Sequence, residues 1–152
     1  MFTIVPYESC YANSFKELNL SWINEYFVVE EKDTQLLEHC ESTIIKKGGY
    51  IFIGLWDNVP VGCYSFIKKS PACFELGKMA VSKSHRGKQI GQHLLTHAIA
   101  FGKNQHWKKI ILYSSTTLDT ALHIYKKFGF EEIALEKDVI YLRSDIKMEI
   151  NL

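Results

Sequence analysis

No apolar run in the 152-residue chain approaches the length that spans a bilayer, which is roughly 20 residues. The opening residues, Met1 to Pro6, carry neither the basic start nor the long apolar stretch of an export signal. Both absences predict a cytoplasmic protein with no membrane partner. A charge of one sign is also missing: eighteen Lys and Arg stand against seventeen Asp and Glu, a formal net charge of +1. Nothing in that balance favours a nucleic-acid partner. Cys10, Cys40, Cys63 and Cys73 include no C-x-x-C pair, so a zinc ribbon or thioredoxin-type site is not expected. Without an export signal they do not read as a disulfide framework either. Their simplest role is that of small hydrophobes. The three prolines, Pro6, Pro60 and Pro71, fall between elements, and no repeat or linker interrupts the chain. Residues 1–152 therefore read as a single domain. Its composition, 47% hydrophobic and 23% charged, is that of a folded globular protein with enough core to fold unaided.

The local patterns predict an α+β fold. Phe2 to Val5 reads as a strand, and Pro6 to Ser9 leads into a helix reaching Leu18. Trp22 to Phe27 is an aromatic stretch that suits a further helical turn or a loop. Asp33 is placed to cap a helix running to Lys46 or Lys47, with Leu36, Leu37, Cys40 and Ile44 on one face and Gly48-Gly49 ending it. Tyr50–Trp56, Val61–Lys68 and Cys73–Val81 read as three strands joined by short turns, an antiparallel meander. A long helix over Ile90–Asn104 follows, with Ile90, Leu94, Leu95, Ala98 and Phe101 facing the core. Lys109–Tyr113 is then a strand, Asp119–Phe128 a helix stopped by Gly129, and Phe130–Leu135 and Val139–Ile150 two closing strands. The expected architecture is a mixed, mostly antiparallel central sheet flanked by helices.

The stretch from Met79 to Gln92 carries the clearest chemical signal. A strand ends at Met79-Ala80-Val81, a loop holds Arg86-Gly87-Lys88-Gln89, and a helix opens at Ile90-Gly91-Gln92. A helix start presents unpaired N–H groups and the positive end of the helix dipole, which together suit an anion. Glycines let that backbone approach a phosphate closely. An ordinary strand-to-helix turn with solvated charges would look similar. The loop matches neither G-x-G-x-x-G nor G-x-x-x-x-G-K-[ST].

Arg86-Gly87-Lys88-Gln89-Ile90-Gly91 resembles the Q/R-x-x-G-x-G/A loop that binds acyl-CoA in the GCN5-related N-acetyltransferase (GNAT) superfamily, with Gln89 where the signature has Gly. Ala121 to Phe130, with Tyr125 and Gly129-Phe130, resembles that family's A-x-x-x-Y-x-x-x-G-F signature. Glu75 to Val81 is similar to its fourth strand. Leu118 stands where many relatives carry an Asn that touches the cofactor, so no polar contact is assigned there. The resemblance implies the GNAT fold and transfer of an acetyl group from acetyl-CoA to a primary amine by direct attack, with no metal. It implies cofactor contacts from Met79, Ala80 and Val81, from the loop Arg86 to Gln92, and from Tyr125. Tyr125 would also be the acid that protonates the departing thiolate, or else only pack on the cofactor.

Glu75 is the candidate base. Strict alternation along the strand puts it on one face with Cys73, Gly77 and Met79, where a partly dry cleft would raise its pKa. A salt bridge for Glu75, with a water relaying the proton, fits the sequence equally. Trp22, Tyr26, Phe27 and Glu30, with Glu31 and Asp33, would line the acceptor side, their acids suiting a cationic amine; Tyr141 and Arg143 are further candidates. His93 and His97 have i, i+4 spacing but lack an H-E-x-x-H glutamate, so they read as a solvated helix face. The implied partners are acetyl-CoA and a small-molecule or peptide amine, in a monomer or homodimer. The competing expectation is a catalytically inactive CoA-binding sensor or interaction module on the same fold.

Overall fold

In the computed structural model, which describes residues 1–152, the β-branched and aromatic runs after Gly49 pair as the patterns predict. The strands are β1 (Phe2–Pro6), β2 (Tyr50–Trp56), β3 (Val59–Ser70), β4 (Cys73–Val81), β5 (Lys109–Ser114), β6 (Glu131–Ile133) and β7 (Ile146–Asn151). They form one sheet in the order β1-β2-β3-β4-β5-β7-β6. Every neighbouring pair is antiparallel except β4 and β5, which are parallel. A parallel pair needs a crossover, and α3 (Ile90–Asn104) supplies it. The β2–β3 hairpin turns on Asp57 and Asn58, both left-handed at φ 48° and 69°, the geometry of a two-residue turn that follows the strand twist.

Alternation along the strands builds a core on each side of the sheet. Ile51, Ile53, Leu55 and Cys63 pack with Phe15 and Ile23 of α1 (Ala12–Tyr26) and with Leu36 and Leu37 of α2 (Glu31–Glu38). Phe52, Tyr64, Phe66, Phe74 and Leu76 pack on the other side with Ile90, Leu94, Leu95 and Ala98 of α3. There Trp107 stacks on Phe74 at 3.7 Å between ring centroids and meets Phe66 edge-on at 4.9 Å. Each such side chain contributes about 1.5–3 kcal/mol through burial.

Several expected boundaries move. The first helix continues through Trp22 to Tyr26 instead of ending at Leu18, because Phe15, Asn19 and Ile23 form one buried stripe. Asn19 is tolerated there because its amide donates to the Phe15 carbonyl at 2.9 Å and to Cys63 Sγ at 3.3 Å. The next helix is capped by Glu30, not Asp33. Asp33 sits three residues further on and accepts from the Glu30 N–H at 2.9 Å, closing a reciprocal capping box. That helix stops at Glu38, and Glu41–Ile45 form a π-helical turn rather than a continuation to Lys46. Finally, the closing strands are shorter than expected. Residues 134–145 form a loop, and β7 enters between β5 and β6. Long-range bonds hold this loop: Asp145 accepts from the Thr116 N–H and hydroxyl, both at 2.7 Å, and Arg143 is taken by Asp33. The last helix, α4 (Asp119–Lys127), ends at Gly129, whose φ of 105° needs a glycine.

Candidate functional site

The parallel pairing of β4 with β5 runs from Cys73–Lys109 to Leu76–Leu112 and then stops. Beyond that point a cleft of about 130 Å³ opens between the two strands. Its walls include Glu75, Gly77, Lys78 and Met79 of β4, Tyr113 and Ser114 of β5, and Leu118 and Tyr125 at α4. On the β3 side, Ser65 pairs with Gly77 and Cys63 with Ala80, so β4 holds one extra residue there. The bulge is carried by Lys78 at φ 49°. A bulge resets which face each side chain takes. Glu75, Gly77 and Ala80 consequently face α1, while Met79 and Val81 pack toward α3. Met79 thus does not share a face with Glu75, as strict alternation predicts; it still lines the cleft. Ala80 is buried under α1, so only its backbone is available to a ligand.

Where β4 ends, the loop leads straight into α3. Gly87 has φ 82° and Gln89 φ 60°. Gln89 thus adopts the left-handed conformation for which glycine is the usual residue. No side chain caps the helix, and its first backbone bond runs from the His93 N–H to the Gln89 carbonyl at 3.0 Å. The N–H groups of Ile90, Gly91 and Gln92 are left as donors. A Cβ added at Gly87 or Gly91 would meet no atom within 4 Å, so space lies open above both. This geometry fits a phosphate approaching the backbone. Arg86 is already engaged, with its guanidinium 3.0 and 2.8 Å from the Glu25 carboxylate and against the Tyr26 hydroxyl at 3.5 Å. It ties the loop to the end of α1. Lys88 Nζ lies 5.0 Å from the centre of the Trp56 ring.

Tyr125 lines the cleft, with its ring edge-on to Phe130 at 5.8 Å. Burial raises its pKa, so the phenol keeps its proton at neutral pH. Glu75 also lines the cleft, but its carboxylate is 3.1 Å from Lys69 Nζ. The salt bridge left open by the sequence is therefore formed.

The acceptor-side candidates divide. Trp22 and Phe27 line the cleft together with Asn19, Tyr141, Arg143 and Ser144. Tyr26 and Glu30 do not. Tyr26 turns to Arg86, and Glu30 binds the Leu142 N–H at 3.1 Å and Arg143 at 3.3 Å. Asp33, expected to face a cationic amine, is wholly buried. Its carboxylate accepts from Lys78 Nζ at 2.6 Å and from both terminal nitrogens of Arg143 at 2.8 and 2.7 Å. Burial by itself would raise its pKa, but these bonds hold it down at about 2. For Lys78, burial outweighs the attraction of Asp33 and lowers the pKa. Lys78 was missed by the motif reading; the available signal was a lysine inside the apolar run Leu76 to Val81.

His97 departs from the solvated face expected of it: its Nδ1 is 2.8 Å from the buried Tyr64 hydroxyl, and its ring packs edge-on to Phe52 at 4.7 Å. His93 is exposed. No three His, Cys, Asp or Glu residues converge as a metal site, and no helix is long and apolar enough to cross a membrane.

The chain is similar to known proteins in sequence and in fold. An uncharacterized N-acetyltransferase of Dictyostelium discoideum is 33% identical over 79 residues, covering 48% of this chain and only 37% of that protein. A crystal structure of a GNAT-family acetyltransferase from Staphylococcus aureus superposes with a TM-score of 0.86 at 23% identity, covering 99% of both chains. The PaiA N-acetyltransferase of Thermoplasma acidophilum, solved in complex with coenzyme A, gives 0.79 at 16% identity, covering 100% of this chain and 99% of that one. At such identities the two structures speak for the fold alone. The profile of the acetyltransferase (GNAT) family matches residues 16–130, which include β4, the loop, α3 and Tyr125, and on that match the chain belongs to the GNAT acetyltransferase family.

Proposed function

We propose that the protein transfers an acetyl group from acetyl-CoA to a primary amine by direct attack in the cleft between β4 and β5. The observation that carries this reading is the continuity of β4. One strand leads from the cleft wall with Glu75 to the open, uncapped donors of Ile90, Gly91 and Gln92. A pyrophosphate held at the loop would leave the pantetheine arm to run along the unpaired part of β4, bringing the thioester toward Tyr125. Coenzyme A bound to the Thermoplasma acidophilum relative is consistent with this use of the fold.

The chemistry asks for positioning first. The amine must be neutral to attack, so its ammonium form first gives one proton to solvent, and as the nitrogen bonds to the thioester carbon its second proton passes to Glu75 or to a water beside it. The amine nitrogen forms a bond to the thioester carbon, the carbon–sulfur bond breaks, and the sulfur takes a proton from the Tyr125 hydroxyl. Solvent then restores that proton. Burial keeps the phenol protonated, so the proton is in place when the thiolate forms.

The test is a turnover screen in which amines of different classes are offered with acetyl-CoA and the released thiol is followed. Thiol release that depends on an amine and yields its acetylated product is the expected result. Tight acetyl-CoA binding without turnover on any amine would replace this reading with that of a CoA-binding module.

A further inference from the structure

The charged groups of the cleft are arranged by sign. At one end stand Lys78 and Arg143, with the Tyr141 hydroxyl beside them, 3.0 Å from Lys78 Nζ. Nearer the parallel pairing stands Glu75, the only acidic residue among the lining residues. The carboxylates that pair the two cations, Asp33 and Glu30, lie behind them and outside the lining. A molecule in the cleft therefore meets the cations first.

Both cations keep unspent donors. An ammonium has three N–H groups and a guanidinium five. Lys78 uses one on Asp33 at 2.6 Å and one on the Tyr141 hydroxyl at 3.0 Å. Arg143 makes three bonds to Asp33 and Glu30, leaving Nε–H and one terminal N–H. Its guanidinium carbon lies over the Tyr141 ring, 4.2 Å from the centroid. Neither side chain swings freely, with only 7% of Lys78 and 15% of Arg143 exposed. Burying two cations around one fully buried carboxylate is expensive and is not needed to cap α2, which Glu30 and Asp33 already do through the backbone.

The geometry points to an acceptor that carries a carboxylate beside its amine, an amino-acid-type zwitterion. Its carboxylate is received by Lys78, Arg143 and the Tyr141 hydroxyl, and its ammonium is directed to Glu75 and Tyr125. This inference rests on the acetyl-transfer reading and names its substrate class. Charge-assisted bonds from two fixed cations give both attraction and orientation. The same cations repel a second ammonium, so a diamine is disfavoured by the arrangement that selects the zwitterion. They also oppose protonation of the bound amine, which favours its reactive form.

The experiment pairs turnover with binding. Glycine, alanine, phenylalanine and glutamate are compared with their amides and with short diamines, each offered with acetyl-CoA. The amino acids are expected to exceed their amides by at least about tenfold in kcat/KM. Arg143→Gln and Lys78→Met should bring that ratio toward one while the acetyl-CoA Kd stays unchanged. In parallel, propionate and 3-phenylpropionate, which have no amine, are titrated calorimetrically into the acetyl-CoA-loaded wild-type protein. Saturable binding that is lost in Arg143→Gln supports the subsite even if no amine turns over, in which case only the transfer reading fails. Amides or diamines turning over as well as the amino acids would overturn the subsite and leave the transfer reading intact. Neither carboxylate binding nor turnover would overturn both. The substrate comparison needs only wild-type protein, so the outcome stands even if a variant fails to fold.

Discussion

Replacing Asp33 by Asn keeps the shape of the side chain and removes its charge. The wild-type carboxylate is fully buried and accepts from Lys78, from two nitrogens of Arg143 and from the Glu30 N–H, all between 2.6 and 2.9 Å. The variant leaves Arg143 with Glu30 as its remaining partner and Lys78 with no carboxylate hydrogen-bonded to it. Breaking such a buried arrangement costs about 3–5 kcal/mol. Because both cations also line an open cleft, about 3 kcal/mol is expected. For a chain of this size that is a fall in Tm of roughly 6–12 °C. Urea unfolding at pH 7 reads the free energy directly. Asp33→Asn/Lys78→Met should recover part of the loss, since it removes one stranded cation. The pH dependence supplies a second reading. Asp33 is held at about 2 when folded, below its ordinary value near 3.9. Its contribution is therefore fully present above about pH 4 and is lost as pH falls toward 2. Two pKa units correspond to on the order of 2–3 kcal/mol. In Asp33→Asn this part of the acid limb should vanish. A loss below about 1 kcal/mol at pH 7, with an unchanged acid limb, would refute the claim that Asp33 holds the two cations in place.

Further perturbations address the loop and the base. Gly91→Pro removes a donor and fills the open space above the helix start, so acetyl-CoA affinity should fall sharply in calorimetry while circular dichroism stays native. Arg86→Ala should weaken acetyl-CoA binding by less than about tenfold, because Arg86 is shared with Glu25; a larger loss would mean that it leaves Glu25 for the phosphate. In Glu75→Gln the acidic limb of the kcat/KM profile should change, and raising the pH should restore part of the rate as free amine accumulates. A wild-type profile and rate would leave Glu75 as the structural partner of Lys69.

Much of the scaffold around the site was legible because its signals are local. Cys73–Val81 and Ile90–Asn104 have the bounds expected from strand pattern, helical spacing and the glycines between them. The interior of β4 was not legible in the same way. Gly77 is the residue suited to a left-handed φ, yet Lys78 adopts it, because the register against Ser65 and Cys63 decides where the extra residue falls. Cys40 and Ile44 preserve helical spacing across the break after Glu38, so the π-helical turn leaves no mark in the pattern. Val139 to Leu142 has the composition of a strand, but Asp33 and Thr116 claim its neighbours Arg143 and Asp145 from distant parts of the chain. The acids at the start of α2 were visible as charges. That Asp33 turns inward onto Lys78 and Arg143 depends on contacts more than forty residues away in sequence.

The proposed chemistry meets its most direct test in Tyr125→Phe, which removes one hydroxyl and keeps the ring against Phe130. The measurement is kcat on an accepted amine, with the acetyl-CoA Kd determined on the same preparation. If Tyr125 protonates the departing thiolate, kcat falls by about 10²–10⁴-fold while the Kd stays within about twofold of wild type. A kcat within twofold of wild type would contradict that role and reduce Tyr125 to a wall of the cleft.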